Sequence, residues 1–453
     1  MLASALLGAD NIKAALLFEQ ALASDDQRDA WLGLATARFL AGDLAGARAT
    51  LAEMSRRHGV WPDAALLAEQ IARAGGAARE DPPAPVQPSR RREPGRWRGD
   101  GIEAVILVTH DDGGGVERRV QASAASHVAA GRQAIVLRPA ARTPDGTAVV
   151  IASAAGLSGK RFELPGQQTG LLRLLRGARP VSVELHHFLN HDPSVFGIIQ
   201  TLGVPYDVLV HDYAWFCPRV ALVGRGDRYC GEPPAAACET CVARLGSYLN
   251  EDIGVAALLA RSRDVLDGAR RVIAPSHDAA ERMTRHFPGL SVTVMPHEDD
   301  AAVDEPPPVR RQTGTVSVCV AGAIGLHKGY HVLLACARDA RRRKLDLTFT
   351  VVGTTIDDQR LMDTGRVFVT GPYQPEEAVA LIHAQNAALA FLPSIWPETW
   401  CLGLTELWRA GLRVAAFDIG APAERIKRTG RGILLPVRLS APEINDLLLN
   451  AVR

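Results

Sequence analysis

Two glutamates flank an aromatic, apolar stretch. WPETWCLGLTE (396–406) places Glu398 and Glu406 with seven residues between them. A carboxylate accepts two or more hydrogen bonds from vicinal hydroxyls, the groups that ribose and sugar rings present. Capping of free helix N–H groups would account for Glu398 alone. It does not account for Glu406, two turns into an apolar helix. Upstream, VSVCVAGAIGLHKGYHVLLACA (316–337) reads as strand, glycine turn, lysine and helix. Gly322, Gly325 and Gly329 let backbone approach a ligand closely. The helix N-terminus offers N–H groups to phosphate, and Lys328 adds a full charge. Glycines end strands in many proteins, so this turn by itself is equally a structural feature.

The elements that must hold these residues follow from the hydrophobic pattern. EAVILVTH (103–110) is a buried-strand run ending in a glycine-rich turn, DDGGGVERRV, and a helical stretch. QAIVLRP, VSVELHH, YDVLVHD and RRVIAPS are further short apolar runs separated by helical lengths. After the proline-rich DEPPPVRRQTG (304–314) a second series begins: VSVCVAGAIG, LTFTVVG, RVFVTG, AALAFLPS and LRVAAFD. Strands alternating with helices predict parallel sheets covered on both faces. Two Rossmann-like domains, 101–303 and 304–453, are therefore expected, hinged near 300–314. Pro393 and Pro397 stop a strand and set a rigid turn. A helix follows from about Trp400 to Ala410, ended by Gly411.

The first 75 residues differ. They are Ala/Leu-rich with helical spacing, and AGDLAGARATLAEM (41–54) echoes GADNIKAALLFEQAL (8–22). Small residues recur where helices would cross, and Trp31 and Trp61 stand near helix starts. This resembles the tetratricopeptide repeat, a helix pair of about 34 residues that binds partners; a plain helical extension is the alternative. Residues 76–100 are a Pro/Arg-rich linker with nothing to form a core. Its arginines are either solvated or in contact with an anionic membrane surface.

The 453 residues suggest about three domains. Lysine plus arginine (51) nearly balances aspartate plus glutamate (50), which gives no argument for a nucleic-acid partner. No apolar stretch of about 20 residues could span a bilayer. The first residues show no basic lead and no long apolar stretch, so a cytoplasmic location with reduced thiols is expected, possible also at the inner face of the membrane.

The stretch 396–406 resembles the E-x7-E signature of retaining glycosyltransferases of the GT-B fold, family 4. The resemblance runs from about 101 to 436. GGGVER (113–118), HDYAWFCP (211–218), APS (274–276), GAIGLHKG (322–329), VVG (351–353), VTGPY (369–373) and DIGAPAERI (418–426) fall in the family's order. It implies an α/β GT-B fold preceded by a small all-α domain. Glu406 would then hold the ribose hydroxyls of a nucleotide-sugar and Glu398 the sugar hydroxyls. Lys328 would neutralise the diphosphate, with Gly322 and Gly325 beside it and the backbone of Trp400, Cys401 and Leu402 facing the phosphates. His211 would point at the reacting sugar. Gly113, Gly114 and Gly115 would lie under the donor phosphates, and His187 on the acceptor side. Glu424 follows the family's glutamate after the glycine turn.

The chain departs from the pattern. Position 323, an arginine in many members, is Ala323, so charge neutralisation falls to Lys328, helix N-termini and His327. Trp400 and Cys401 replace a usual small residue and narrow the sugar pocket; Thr399 replaces a proline. Pro296, His297 and Glu298 stand for the usual proline-asparagine-glycine. No metal cofactor is expected for catalysis.

A loop after His211 carries Cys217, Cys230, Cys238 and Cys241, the last two as C-x-x-C. The spacing leaves three readings open: a closed structural zinc site, free or redox-sensitive thiols, and disulfides. The loop is expected over the acceptor side. His186, His187, His191 and Asp192 admit a metal reading, though one cleft-lining histidine among solvated or backbone-bonded ones is the simpler reading. Cys319 and Cys336 read as core thiols.

The expected activity is transfer of a sugar from a nucleotide-diphosphate sugar to a glycan or lipid-linked acceptor, in bacterial surface polysaccharide or lipid-linked oligosaccharide synthesis. A rival class is a transferase-like scaffold whose helical repeats bind proteins. An epimerase acting without acceptor is a third reading.

Overall fold

In the computed structural model, residues 28–41 and 43–58 are described in the N-terminal part, with scattered helical positions between 15 and 71. From 102 to 452 all residues are described except 112, 141, 144–145, 155–156, 227, 299 and 301–313. Tertiary contacts divide the chain into Met1–Pro94 and Gly95–Arg453. That boundary falls inside the Pro/Arg-rich stretch 76–100. This stretch, Trp61 and most of the hinge at 300–314 lie outside the described residues.

In the first unit, helices α1 (Arg28–Leu40) and α2 (Leu44–His58) form a pair. Ala35 and Ala47 are fully buried between them with Met54 and Leu51, so small residues do mark the crossing. The Arg57 guanidinium lies 5.2 Å from the Trp31 ring centre.

The second unit holds two sheets. In the N-lobe, β1 (Ala104–Val108), α3 (Gly114–Ala129) and β2 (Gln133–Ala140) come first. β3 (Ala148–Ala154), β4 (Leu157–Leu164), α4 (Gln168–Gly177), β5 (Pro180–Leu185), α5 (Ser194–Leu202) and β6 (Tyr206–Leu209) follow. A loop with the short pair β7 (Val223–Gly224) and β8 (Arg228–Tyr229) leads to α6 (Ala235–Leu245) and α7 (Val255–Asp267). β9 (Arg271–Ala274), α8 (His277–His286) and β10 (Val292–Val294) complete the lobe. The sheet order is β10-β9-β6-β5-β1-β2-β3-β4.

Every residue of β1 is buried. Ala104, Ile106 and Val108 enter the main core, while Val105 and Leu107 meet Val120 of α3 on the other face. That is why this strand reads as an unbroken apolar run. β3 and β4 pair antiparallel at the edge. They were not legible as strands, because SGKRFE breaks the apolar run and suits a solvated edge.

The C-lobe sheet is wholly parallel, in the order β13-β12-β11-β14-β15-β16. Its elements are β11 (Val316–Ile324), α9 (Tyr330–Arg343), β12 (Leu347–Thr355), α10 (Asp358–Met362) and β13 (Val367–Val369). α11 (Ala378–Ala384), β14 (Leu389–Leu392), α12 (Leu402–Arg409), β15 (Val414–Phe417), α13 (Gly420–Thr429), β16 (Gly432–Leu435) and α14 (Ala441–Asn450) follow. Val316, Val318 and Val320 of β11 enter one core layer and Cys319 and Ala321 the opposite one. Cys319 and Cys336 are fully buried, as core thiols should be. These are the two Rossmann-like lobes that the alternating pattern called for.

Candidate active site in the interlobe cleft

The expected site residues sit at strand ends and helix starts that face one another across the lobes. Gly114 (φ 71°) opens α3. A Cβ on Gly115 would stand 3.7 Å from Leu402 Cδ1, so the glycine loop packs against the start of α12. Two glycines are required by contact. A Cβ at Gly329 (φ 86°) would lie 1.9 Å from the Pro393 carbonyl oxygen. One at Gly420 (φ 70°) would lie 2.8 Å from the Glu398 nitrogen. Only glycine lets the Lys328 turn and the start of α13 approach the 393–398 segment this closely.

The helix carrying Glu406 starts at Leu402, two residues later than expected, because Cys401 takes a left-handed conformation (φ 72°). Gly411 ends it with φ 76°. Glu398 therefore lies before the first turn of α12. Its carbonyl accepts the Ala421 N–H at 2.8 Å, and its carboxylate accepts from Lys328 Nζ at 3.2 Å.

A cavity of about 450 Å³ lies between the lobes. Gly114, Gly115, His211, Gly322, Lys328, Glu398, Trp400, Cys401, Leu402 and Glu406 all line it. Gly113, Gly325 and His187 do not line it. Gly113 sits just ahead of α3, Gly325 N–H turns to the Ala323 carbonyl, and His187 Nε2 pairs with Asp212 at 2.7 Å behind the wall. Ala323 and His327 line the cavity, as does His297. Glu424 is elsewhere: its carboxylate accepts the N–H groups of His277 and Asp278, so a C-lobe side chain caps N-lobe helix α8.

Burial pushes the Glu398 carboxyl up, but the charge and hydrogen bonds of its neighbours, Lys328 foremost, hold it below the usual range. Glu398 in turn raises the Lys328 ammonium above its ordinary value. Glu406 pairs with Arg118 of α3, Nη1 to Oε1, at 2.8 Å. Both acids thus pair with cations in one cleft. Burial and the neighbouring histidines push His211 well below its usual value, so it is neutral. Beneath it, His211 Nε2 and His186 Nδ1 are 3.1 Å apart, and His186 Nε2 is 3.1 Å from Glu184. Glu184 also accepts from Ser123 at 2.5 Å and pairs with His127 at 2.7 Å. Burial opposes its ionisation, yet these bonds hold it down at about 2.

Further functional residues were not singled out from sequence. Arg118 had a signal: it follows Glu117 in the quoted GGGVER. Arg425 of α13 had the same kind of signal, since it follows Glu424 in the quoted DIGAPAERI. It is fully buried, its Nη1 donates to the Trp400 and Cys401 carbonyls, and it pairs with Asp300. Its guanidinium lies 4.0 Å from the Trp400 ring centre. Trp400 Nε1 is buried with no hydrogen-bond partner.

Cys217, Cys230, Cys238 and Cys241 are free thiols, each partly buried. Among the described residues no group of three or more His, Cys, Asp or Glu is arranged to hold a metal ion, at the cysteine loop or at His186, His187, His191 and Asp192. Burial pushes the Cys217 thiol up to about 12. His191 Nε2 instead contacts the Thr109 carbonyl at 2.8 Å. The loop also bridges the lobes: Leu222 enters the N-lobe core and Val223 the C-lobe core.

Fold and cleft define a two-lobed α/β protein with a charged interlobe site. Its C-terminal lobe, residues 304–452, is matched by the family model of glycosyl transferases group 1. The chain is 27% identical over 254 residues to a GDP-mannose-dependent alpha-mannosyltransferase of Mycolicibacterium smegmatis. That region covers 52% of this chain and 65% of the mannosyltransferase, just under two thirds of its length. Among solved structures it resembles Anabaena Alr3699/HepE in complex with UDP and glucose, with TM-score 0.49, 12% identity, and coverage of 77% and 90% of the two chains. It also resembles a sucrose-phosphate synthase from Thermosynechococcus elongatus, with TM-score 0.48, 14% identity, and coverage of 77% and 90%. No helix among the described residues is long and apolar enough to cross a membrane.

Proposed function

We propose that the chain is a glycosyltransferase that moves a sugar from a nucleoside-diphosphate sugar to a glycan or lipid-linked acceptor, with retention at C1. One observation carries the reading. Glu398 and Glu406 line one cleft with Lys328, so hydroxyl acceptors stand beside a phosphate-neutralising charge. In this reading Glu406 holds ribose, Glu398 holds the sugar, and Lys328 with the start of α12 faces the diphosphate.

The bond from C1 to the diphosphate oxygen breaks as the acceptor oxygen bonds to C1 from the same face. The acceptor proton passes to the leaving diphosphate oxygen. Glu398, engaged with Lys328, is a binding group in this scheme, unlike the nucleophile of two-carboxylate glycosidases. His211, neutral, accepts a hydrogen bond from a hydroxyl of the reacting sugar. Closure of the lobes excludes water that would hydrolyse the donor.

The mannosyltransferase likeness puts GDP-mannose first among donors; the acceptor is read as a bacterial surface polysaccharide or a lipid-linked oligosaccharide. The helix pair α1–α2 is read as a tetratricopeptide-like module for a protein partner, and the Pro/Arg-rich stretch as a contact for an anionic membrane face. A thermal-shift screen of GDP-, UDP-, ADP- and dTDP-sugars tests the donor reading, because a bound ligand raises the melting temperature. The anomeric form of the product, read by NMR, tests retention. No shift and no hydrolysis with any donor would instead favour the scaffold reading that neutral Ala323 suggests.

A further inference from the structure

Each acid of the cleft is matched by a cation, but the two cations come from different lobes. Lys328, on the C-lobe turn, serves Glu398 at 3.2 Å. Arg118, one turn into N-lobe helix α3, crosses the cleft to Glu406 at 2.8 Å. The Arg118 side chain is 38% exposed, whereas the Glu406 carboxylate is only 12% exposed. Arg118 is thus the more solvent-accessible member of the pair. Ala323, the neutral residue at the end of β11, lines the same cavity and is exposed.

A nucleoside diphosphate changes this arrangement at both ends. Its ribose hydroxyls donate to the Glu406 carboxylate, whose Oε1 Arg118 now occupies. Its phosphates bring at least two negative charges to a site whose C-lobe cation already serves Glu398. A guanidinium fits a phosphate bidentately, while a carboxylate engaged by two hydroxyls no longer needs a cation to be satisfied. We propose that Arg118 exchanges partners when the donor binds, leaving Glu406 for the diphosphate. It then supplies from the opposite lobe the second positive charge that position 323 lacks. The diphosphate would tie the lobes together through this residue, so donor binding would itself favour closure. The inference rests on the donor site proposed above.

The test is calorimetric titration of the full chain with GDP, UDP, ADP and dTDP and with the matching nucleosides. Wild type, Arg118→Gln, Arg118→Lys and the double variant Arg118→Gln/Ala323→Arg are compared. For the diphosphate that wild type binds, Arg118→Gln is expected to weaken affinity at least about tenfold, the worth of one charge-assisted contact. The nucleoside should bind Arg118→Gln as well as wild type or better, because Glu406 is released from its competitor. Arg118→Lys should lose less, and the double variant should regain diphosphate affinity. Diphosphate affinity unchanged in Arg118→Gln, or nucleoside and diphosphate weakened alike, would overturn the exchange alone. A wild type that binds none of the four diphosphates would overturn the donor site and the exchange with it.

Discussion

The imidazoles of His186 and His211 stack almost in parallel, 5.3 Å between centroids and 11° between planes, and their facing nitrogens are 3.1 Å apart. Glu184, ionised at ordinary pH, accepts from His186 Nε2. The His186 Nδ1 lone pair then takes the His211 Nε2 proton, leaving His211 Nδ1 as an acceptor. A chain starting three residues before His187 thereby sets the tautomer of the cleft histidine. Glu184→Gln removes the charged acceptor. Transfer is expected to fall about tenfold, one charge-assisted hydrogen bond's worth, with nucleotide affinity unchanged. Nitrogen NMR shifts of His211 should move with the tautomer. An unchanged His211 spectrum would refute the chain.

The two acids should separate kinetically. Glu406→Ala is expected to weaken nucleotide binding. Glu398→Ala and His211→Ala should spare it and lower transfer, by about a hundredfold for Glu398 if it acts chiefly in the transition state. Steady-state rates beside nucleotide titrations decide this, and full turnover in Glu398→Ala would remove its role.

Arg425 should be a stability residue as well as a support for the 400–401 turn. Arg425→Met leaves the Asp300 carboxylate buried and removes Arg425 from beside it, while Arg428 stays on Oδ2 and Arg431 on the backbone carbonyl. A loss of about 3 kcal/mol is expected, as when one member of a buried pair is removed. Asp300→Asn in the same background should recover part of it, because the stranded charge is gone. Denaturant melts of the single and double variants measure both. Equal stability of Arg425→Met and wild type would show that the pair is not a structural anchor.

Acid should unfold the second unit through its buried histidines. Burial holds His191 at about 4 and His297 at about 3, below an unfolded value of about 6.5. Above about pH 6.5 both states are neutral and these residues contribute nothing to pH dependence. Below it the unfolded chain binds protons that the folded protein refuses. Stability then falls by up to about 1.4 kcal/mol per pH unit for each histidine. Glu184, at about 2 when folded, adds a further loss below about 4.5, where its unfolded carboxyl takes a proton. Melting temperatures taken from about pH 7 down to about pH 4 should drop steadily. A flat profile across that range would count against neutral buried imidazoles.

Most of the parallel strands were legible because each is an apolar run bounded by turn residues, as with Val105 to Val108 and Val318 to Ala321. Antiparallel β3 and β4 were not, since Lys160, Arg161 and Glu163 give an edge strand the composition of a loop. Ten of the thirteen residues assigned to catalysis, donor or acceptor line the cleft. Gly113, Gly325 and His187 sit behind it, because nearness in sequence to a lining residue does not determine which way a backbone or ring faces. The cysteine loop shows the same limit from the other side. Its spacing left zinc, free thiols and disulfides open, and only the fold shows that the loop also joins two cores through Leu222 and Val223.

By itself the sequence determined the kinds of element, their order, and which polar residues interrupt them at strand ends. These are local matters of periodicity, turn chemistry and residue type. Only the tertiary structure decided which charges meet. Arg118 reaches a glutamate 288 positions away and Arg425 an aspartate 125 positions away. Such pairs depend on how two lobes close on each other. A local pattern carries no record of that, because the energy of a charge pair depends on distance through space and not along the chain.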